Sequence, residues 1–396
     1  MPKALFLSPE APYPVVGGGP LRSASLLEYL AGRFRVHAIV FREPGSPDPA
    51  RAIPTGLLDR LDVIELPFHS KDAIARAARN ASRLVRRTPP LIDRFSGFAA
   101  PLAACLADNT YDAAVVEHFW CASYVRQIRP HARRVVLDLH NIESLWHQSL
   151  AERETASRAY ALRRFAAAAR RLECKWLREF DSILVTSALE ASRLGEIVAH
   201  PDVTAYPNAL PEMPEPPRED REEIVFSGNL EYAPNIDAVH FFRDAVWPLL
   251  ASRPGLKWRI IGKNPAAVRD LIGNDPRIEV PGFVDDAVIA LARSQVAIVP
   301  VLSGSGTRVK ILEAWAAATP VVATPLGAEG LDFRDGEHLL LAEAPARFAE
   351  AVSRLLDSRR ERIRIGAAGR KLYEQCYTWP VAWKKLQVVF GNSPAS

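Results

Sequence analysis

The chain has 396 residues, which is too long for one hydrophobic core and matches two domains of about 150 to 200 residues each. A hydrophobic content of 48% and a charged content of 24% exclude a chain that is disordered throughout. The formal net charge of +4 is small for this length, so charge by itself identifies no partner.

The four cysteines, Cys105, Cys121, Cys174 and Cys376, are far apart and lack the paired spacing of a zinc site or a redox motif. We therefore expect reduced thiols. Apolar runs such as VAIVPVL are shorter than the roughly 20 residues of a membrane helix, and the first residues lack the long apolar region of a signal peptide. These features predict a cytoplasmic location.

The first half of the chain alternates short β-branched runs with segments of helical pattern, which is typical of a parallel sheet covered by helices. A glycine-rich loop follows the first strand, and a helix is predicted to open at Pro20. The predicted strands are KALFLS from Lys3, RVHAIVF from Arg35, YDAAVVEHF from Tyr111, RRVVLDLHN from Arg133 and DSILVTS from Asp181.

A proline-rich, charged segment from Ala209, ALPEMPEPPREDREE, is the predicted linker. The alternation then restarts, with strands EEIVFSG, LKWRIIG, RIEVPGF and QVAIVPVL and a helix from Asn235 to Leu250. We predict an α/β fold with domains at 1–210 and 211–378, and a last helix at about 379–396 that packs back on the first domain. Ligands of open α/β sheets bind beyond the carboxyl ends of the strands, so two such domains facing each other predict a central cleft.

The segment SGSGTRVKILEA, from Ser303 to Ala314, carries the clearest functional pattern. A buried strand leads into a loop with Gly304 and Gly306, and a helix is predicted from about Thr307. Small residues let backbone amides approach an anion, and the positive end of the helix favours a diphosphate. Arg308 and Lys310 add full charges nearby. Glu313 lies about 10 Å farther along the helix axis, where its carboxylate can accept two ribose hydroxyls.

The alternative interpretation is a tight strand-to-helix connection with solvated charged residues. The dinucleotide fingerprint does not match, because it places its acid about 20 residues on, at the end of the next strand. A Walker loop does not match either, because no Gly-Lys followed by Ser or Thr is present.

This segment resembles the signature of the retaining family-4 (group 1) glycosyltransferases, whose GT-B fold consists of two Rossmann-like domains. YPNAL, at Asn208, is similar to the motif that closes the first domain in that family. The resemblance implies that the loop VVGGGPLRS, with Gly18, Gly19 and Arg22, lies near the diphosphate or the acceptor. It implies donor contacts in the second domain from the loops at Gly228, Asn229, Lys263 and Phe283, together with the segment from Gly304 to Glu313.

Two positions depart from the family pattern. Relatives commonly carry a glutamate eight residues before the one that matches Glu313, and this chain has Ser305. An arginine and a lysine commonly follow the glycine that matches Gly228, and this chain has Asn229 and Asn235. We expect sugar recognition to differ at Ser305, and the diphosphate-binding cations to have moved to Arg308 and Lys310.

His140 directly follows the strand VVLDL, and the resemblance implies a catalytic histidine that faces the donor sugar. Glu117 and His118 follow another strand and are candidates for the acceptor side, although a polar strand end explains them equally well. Asp138 and Glu143 are weaker candidates.

The helical segment Glu152–Asp181 carries an apolar stripe and a basic back formed by Arg163, Arg164, Arg170, Arg171 and Lys175. The plain interpretation is a helix that packs on the core with a solvated basic face. The alternative is attraction to anionic lipid near a lipid-linked acceptor. Nucleic acid is not an expected partner, because no nucleic-acid-binding motif accompanies the charge.

The resemblance implies transfer of a sugar from a nucleoside-diphosphate sugar to a glycan, a lipid-linked sugar or a small molecule, with retention at the anomeric carbon. We expect no cofactor and no metal, because no convincing cluster of ligands is visible in the sequence. The alternatives are a non-catalytic protein that binds sugar nucleotides, and an epimerase or phosphorylase with the same fold.

Overall fold

A computed structural model of the chain describes residues 1–15, 17–70, 72–152, 154–304 and 309–391. The chain divides into two compact units. The first consists of Met1–Asn208 together with the segment from Trp383 onward, and the second of Ala209–Ala382.

A seven-stranded parallel sheet forms the centre of the first unit, in the order β3-β2-β1-β4-β5-β6-β7. Its central strands are buried on both faces, which explains their continuous apolar runs. The strands are β1 Lys3–Ser8, β2 Arg35–Arg42, β3 Arg60–Glu65, β4 Ala113–Glu117, β5 Val135–Asp138, β6 Ser182–Val185 and β7 Val203–Ala205.

The helices of the first unit connect these strands. They are α1 Gly18–Ala31, α2 Pro49–Ala52, α3 Ala73–Arg86, α4 Pro90–Arg94, α5 Ala99–Leu106, α6 Val125–Ile128, α7 Glu143–Ala151, α8 Ala156–Trp176 and α9 Ala188–Gly195. The predicted start of α1 at Pro20 was two residues late, since the helix begins at Gly18, after Gly17 with φ +100°. Proline is tolerated at the third position because the first four amides of a helix have no partner inside it.

A six-stranded parallel sheet forms the second unit, in the order β10-β9-β8-β11-β12-β13. Its strands are β8 Arg221–Ser227, β9 Lys257–Ile261, β10 Ile278–Gly282, β11 Ser294–Val299, β12 Val321–Ala323 and β13 Leu340–Leu341. Its helices are α10 Ala233–Phe241, α11 Ala266–Arg269, α12 Ala287–Ala292, α13 Val309–Ala316, α14 Pro345–Asp357 and α15 Arg359–Cys376, and α16 Trp379–Phe390 follows.

The helix predicted from Asn235 to Leu250 is a regular α-helix only as far as Phe241. A π-helical turn and a 3₁₀ turn continue it to Leu250. Pro248 lies in this last stretch and has no amide to donate to the preceding turn, so a regular helix cannot continue through it.

Most of the last helix, α16, belongs to the first unit. The indole of Trp383 donates a hydrogen bond to the carbonyl of Ser25 at 3.0 Å. The ring of Phe390 lies 5.9 Å from that of Tyr29 and 6.4 Å from that of Phe34, between centroids. Aromatic contacts of this kind bury a large apolar area and anchor the end of the chain.

Within the described residues, none of the helices combines the length and the apolar character needed to cross a bilayer.

Candidate functional site

The carboxyl ends of β4 and β5 bring two acidic side chains together in the first unit. Glu117 ends β4, Asp138 ends β5, and the two residues are directly paired in the sheet register. Both side chains are fully buried. The imidazole of His140 lies between them, with Nε2 2.8 Å from Glu117 Oε2 and 3.4 Å from Asp138 Oδ2. The ends of β4 and β5 therefore place two carboxylates within contact distance of one imidazole nitrogen of His140.

The two carboxylates keep the imidazole of His140 charged. Burial opposes the charged form, but hydrogen bonds to Asp138 and Glu117 and their negative charges outweigh burial and raise the pKa of His140 to about 9. The pKa of Glu117 is raised by burial and by the charge of Asp138. Burial also opposes ionisation of Asp138, but its pKa is lowered because Arg22 and His140 stabilise the carboxylate. An imidazolium is therefore the stable form of His140 at neutral pH.

Two adjacent residues of α1 support this cluster from the other side. Arg22 donates to both oxygens of Asp138, from Nε at 2.8 Å and from Nη2 at 2.5 Å, and its Nη1 donates to the carbonyl of Tyr206 at 2.6 Å. The hydroxyl of Ser23 donates to Glu117 Oε2 at 2.6 Å. The buried guanidinium of Arg22 is thus committed to protein acceptors, and it orients Asp138 beneath His140.

An aromatic stack continues from His140. The ring of His118 lies 3.6 Å from that of His140 and 4.2 Å from that of Trp120, between centroids. His118 has a positive φ of 60°, which is uncommon for a residue with a side chain and turns the chain sharply after β4. Burial and the charges of His140 and Arg22 lower the pKa of His118 well below its usual value. A neutral imidazole therefore lies against a charged one.

Trp120 links the stack to a second buried acid, Glu143, at the start of α7. The indole of Trp120 donates to Glu143 Oε1 at 2.6 Å, and Asn141 Nδ2 donates to the same oxygen at 3.0 Å. Burial raises the pKa of Glu143 to about 7. Burial also lowers the pKa of His147, whose Nε2 lies 4.0 Å from Glu143 Oε2, to about 4. The sequence indicates Glu143 only as a weaker candidate and does not identify Trp120. A pattern of residues at strand ends does not show which aromatic rings stack on one another or which acid they contact.

Gly18 and Gly19 form the first positions of α1 rather than a free loop. A Cβ built on Gly19 would lie 3.2 Å from Glu10 Oε1 and 4.0 Å from His140 Nδ1. The imidazole nitrogen that does not face Glu117 and Asp138, Nδ1, therefore lies beside Gly19.

Glu117, His118 and His140 also form a group whose potential metal-ligand atoms all lie within 4.8 Å of one another, among the residues that the structure describes. Binding a metal through His140 Nε2 requires loss of the proton that its two carboxylate neighbours stabilise. The arrangement favours a charged imidazole over a metal ligand.

In the second unit, the loop after β8 packs tightly against the loop after β9. A Cβ on Gly262, whose φ is +145°, would lie 1.8 Å from the carbonyl oxygen of Gly228. A Cβ on Gly228 would lie 2.8 Å from Asn235 Nδ2 and 3.1 Å from Lys310 Nζ. Glycine at position 262 lets its backbone approach the carbonyl of Gly228. Glycine at position 228 leaves space for the side chains of Asn235 and Lys310.

Lys310 places its ammonium at this glycine loop. Its Nζ donates to Asn235 Oδ1 at 2.8 Å and lies 4.2 Å from the ring centroid of Phe226. Asn235 in turn donates from Nδ2 to the carbonyl of Asn229 at 2.7 Å. The cation from α13 is therefore at the position of Asn235, where the family resemblance expects a lysine.

Glu313 follows Lys310 by three residues on α13, so the two side chains share one side of the helix. Burial raises the pKa of the Glu313 carboxyl, while the charge of Lys310 and a contact from Ser227 oppose that rise. The hydroxyl of Ser227 lies 3.5 Å from Glu313 Oε2.

The remaining predicted donor residues lie around the same ends of β8, β9, β10 and β11. Lys263 is exposed directly after Gly262, and its carbonyl accepts from the amide of Leu230 at 3.0 Å. Phe283 directly follows β10 with 55% of its side chain exposed. Gly304 has a φ of +92°. The candidates Ser305, Gly306, Thr307 and Arg308 lie outside the described residues.

Comparisons with known proteins identify the fold and a family match in the second unit. Residues 221–358 match the family described as "Glycosyl transferases group 1". A stretch of 119 residues is 36% identical to a phosphatidyl-myo-inositol mannosyltransferase of Mycobacterium leprae, covering 29% of this chain and 32% of that protein. The chain thus spans about a third of the length of the curated relative that it matches.

Two solved structures share the whole architecture at low identity. The sucrose-phosphate synthase of Thermosynechococcus elongatus superposes with a TM-score of 0.73 and 18% identity, over 98% of both chains. TarM of S. aureus, in a complex with fondaparinux, α-GlcNAc-glycerol and UDP, superposes with a TM-score of 0.69 and 11% identity, over 99% of this chain and 100% of that chain. The expected GT-B fold is confirmed by these superpositions, and residues 221–358, within the second unit, match the group 1 glycosyltransferase family.

Proposed function

We propose that this protein transfers a sugar from a nucleoside-diphosphate sugar to an acceptor. The observation that carries the proposal is the position of the Lys310 ammonium, 2.8 Å from Asn235 Oδ1 and beside the Gly228 loop. A cation beside a glycine loop at the carboxyl ends of parallel strands suits a diphosphate. The match of residues 221–358 to the group 1 glycosyltransferases supports the same function.

The donor binds to the second unit in this proposal. Lys310, with Arg308 as its proposed partner, neutralises the diphosphate and stabilises the charge that develops as it leaves. Glu313 accepts the ribose hydroxyls, and the exposed ring of Phe283 lies on the nucleobase side.

Two backbone loops complete the proposed donor site. Asn229 and Lys263 line the glycine loop at Gly228. Gly304, Gly306 and Thr307 admit the phosphate oxygens to backbone amides.

The acceptor binds to the first unit in this proposal. His140 carries a positive charge held by Glu117 and Asp138, and its Nδ1 lies beside Gly19. A charged imidazole can donate a hydrogen bond to a sugar hydroxyl or to developing negative charge. Glu117 and His118 act through His140, since one bonds to the ring and the other stacks on it. Retention at the anomeric carbon is the outcome that the family implies.

The test is a panel of UDP-, GDP-, ADP- and TDP-sugars, screened by thermal shift and by product analysis. One donor class is expected to raise the melting temperature and to be turned over or slowly hydrolysed. Glu313→Ala is expected to abolish both effects, and the exposed Glu350→Ala is the matched control. The absence of binding to every nucleotide sugar would overturn the proposal.

The same measurements separate the alternatives. A non-catalytic sugar-nucleotide protein would bind a donor without turnover or hydrolysis. An epimerase would change the sugar without transferring it, and a phosphorylase would require inorganic phosphate. A transferred glycosidic product, lost in His140→Ala, excludes all three.

Ser305 defines the sugar part of the proposal, because relatives have an acid at this position. We expect Ser305→Glu to change the preferred sugar while it leaves the affinity for the nucleoside diphosphate alone within about threefold. The comparison of sugar and nucleotide affinities in the same variant keeps the two effects apart. An unchanged sugar preference would remove Ser305 from the specificity site.

We also propose a cytoplasmic location with peripheral contact to an anionic membrane, and a glycan, lipid-linked sugar or small molecule as the acceptor. The support is the basic face of α8, where Arg163, Arg164, Arg170 and Arg171 are exposed. Juxtaposed arginines of this kind attract anionic headgroups.

A further inference from the structure

Helix α3 exposes its apolar side and buries part of its charged side. Ile74, Ala78, Ala81 and Val85 recur at spacings of four, three and four residues and form one stripe, and all four are exposed. The side chains of Ile74 and Val85 are both 83% exposed. An ordinary amphipathic helix of a globular protein turns such a stripe toward its core.

The opposite side of α3 explains this orientation. Arg83 is buried, and its Nε donates to Asp93 Oδ2 at 2.8 Å. Arg79 donates from Nη2 to the carbonyl of Ser70 at 2.6 Å. Arg83 thus anchors α3 to the segment around Asp93, and Arg79 anchors it to the segment just before the helix, while the apolar stripe stays outside. Phe68, in the segment before α3, is also 76% exposed.

Cations lie directly beside the carboxyl end of this stripe. Arg87 caps α3 in a left-handed conformation, with φ 52°. Arg171 of α8 donates to the carbonyl of Arg87 at 3.5 Å, so the basic face of α8 adjoins the end of α3. Leu84, Arg87, Arg164 and Arg171 line a small cavity of about 160 Å³ between the two helices.

We propose that α3 and the adjoining basic face of α8 form a docking surface for an anionic lipid bilayer. The apolar stripe inserts at the level of the headgroups, and the arginines contact lipid phosphates. This inference deepens the peripheral-membrane part of the proposed function and rests on it. It assigns the contact to α3 first, whereas the charge pattern of the sequence pointed to α8 alone.

Charge complementarity favours a lipid surface over the other occupants. A second copy of this chain, packed symmetrically through α3, would bring Arg87, Arg164 and Arg171 close to their own copies. Nucleic acid would attract the arginines but would offer no apolar partner for Ile74 and Val85. An anionic bilayer satisfies both parts of the surface.

The test is cosedimentation of the full chain with vesicles of phosphatidylcholine alone and of phosphatidylcholine with 30% phosphatidylglycerol. We expect partitioning to the anionic vesicles only, and a loss of at least about tenfold between 0.1 and 0.5 M salt. Ile74→Ser with Val85→Ser, and Arg164→Ala with Arg171→Ala, are each expected to weaken partitioning by about tenfold or more. Thermal unfolding of every variant checks that the fold is kept.

Val388→Ser is the matched apolar control, because Val388 is 76% exposed on α16. Arg133→Ala with Arg334→Ala is the matched basic control, because both side chains are highly exposed. Equal binding to neutral vesicles, no binding to either, or equal losses in the controls would overturn the proposal. Dimerisation or DNA binding that depends on Ile74 and Val85, without vesicle binding, would overturn it too.

Donor turnover measured without vesicles separates this inference from the proposed function. The α3 variants are expected to keep turnover of a soluble acceptor within about twofold, because surface substitutions away from the site have small effects. A protein that binds anionic vesicles through α3 but binds no nucleotide sugar would retain the docking surface and lose the glycosyltransferase proposal.

Discussion

The ammonium of Lys310 donates a hydrogen bond to the side-chain oxygen of Asn235 at 2.8 Å, although the two residues are 75 positions apart. The family resemblance expects a lysine at Asn235 itself. The charge at the glycine loop is thus supplied by α13 instead of α10. A cation can reach the same place from another element of the fold, and this is the physical basis of the proposed relocation of the charge.

Lys310→Ala is expected to weaken nucleoside-diphosphate binding by about 10- to 100-fold, because a charge-assisted hydrogen bond to phosphate contributes roughly 1.5–3 kcal/mol. Isothermal titration with the donor found in the panel measures this. Lys257→Ala is the control, since Lys257 is exposed on β9 and pairs with Glu279 at 2.6 Å.

Asn235→Lys in the Lys310→Ala background places the cation on α10, at the position where the family resemblance expects a lysine. We expect this double variant to recover most of the lost affinity. If Lys310→Ala and Arg308→Ala both leave donor affinity unchanged, the diphosphate-binding cations have not moved to Arg308 and Lys310.

Catalysis is expected to follow the charge of His140. Its pKa of about 9 lies above its usual value, so the imidazolium is complete at neutral pH and is lost as the pH rises through about 9. The pH profile of kcat should therefore be flat near pH 7 and should fall through about pH 9. The stability that the charged ring contributes is present below about pH 6.5 and is lost in the same upper range.

Glu117→Gln removes one of the two carboxylates that hold the proton on His140. We expect the falling limb of the kcat profile to move to lower pH by about one unit or more. Titration of the ring protons by NMR reads the same change directly. Asp62→Asn is the matched control, because Asp62 bonds to a different histidine, His37, at 2.9 Å. If the falling limb of the kcat profile does not move in Glu117→Gln, Glu117 does not control the pKa of His140 during catalysis.

Arg22→Ala leaves Asp138 as a buried carboxylate without its cation. The expected loss is about 3–5 kcal/mol in the free energy of unfolding of the first unit. Urea unfolding followed by tryptophan fluorescence measures it. Arg35→Ala is the matched control, since Arg35 and Asp59 pair at 2.8 Å on the surface and such pairs contribute about 0–1 kcal/mol. Equal losses in both variants would contradict this account of the buried pair.

Glu143→Gln is expected to stabilise the protein above pH 7. Burial raises the pKa of this carboxyl from 4.5 to about 7, so folding opposes its ionisation, and the cost grows as the pH rises through that range. The gain above pH 7 is at most about 3.4 kcal/mol, from a pKa raised from 4.5 to about 7. Unfolding at pH 4 and pH 8 tests the sign, because the two forms should differ much less at pH 4.

Local patterns were sufficient for the strands that lead to the site. KALFLS corresponds to β1, and the apolar runs from Tyr111 and Arg133 contain β4 and β5. His140 lies beyond the end of β5, as predicted, because buried parallel strands read as short apolar runs with polar residues after them. Glu117 is instead the last residue of β4 rather than a residue that follows it. The use of these residues in donor or acceptor binding stays a prediction.

Other features depend on contacts that a linear pattern does not contain. The sequence suggested Arg22 as a ligand-binding residue, whereas its guanidinium is committed to Asp138 and Tyr206 inside the unit. In α3, the stripe of Ile74 and Val85 has the period of a core-facing helix, yet the helix is anchored by Arg83 instead. Periodicity identifies an apolar face but not the side on which the rest of the protein lies.

The amino-acid sequence alone determined the alternation of strands and helices, the glycine-rich segments and the residues that follow each strand, because these depend on neighbours within a few positions. Only the tertiary structure decided which side chains meet: His140 with Glu117 and Asp138, and Lys310 with Asn235. The physical reason is that sheet register and helix packing set these distances, and the resulting burial and charge set the pKa of each group.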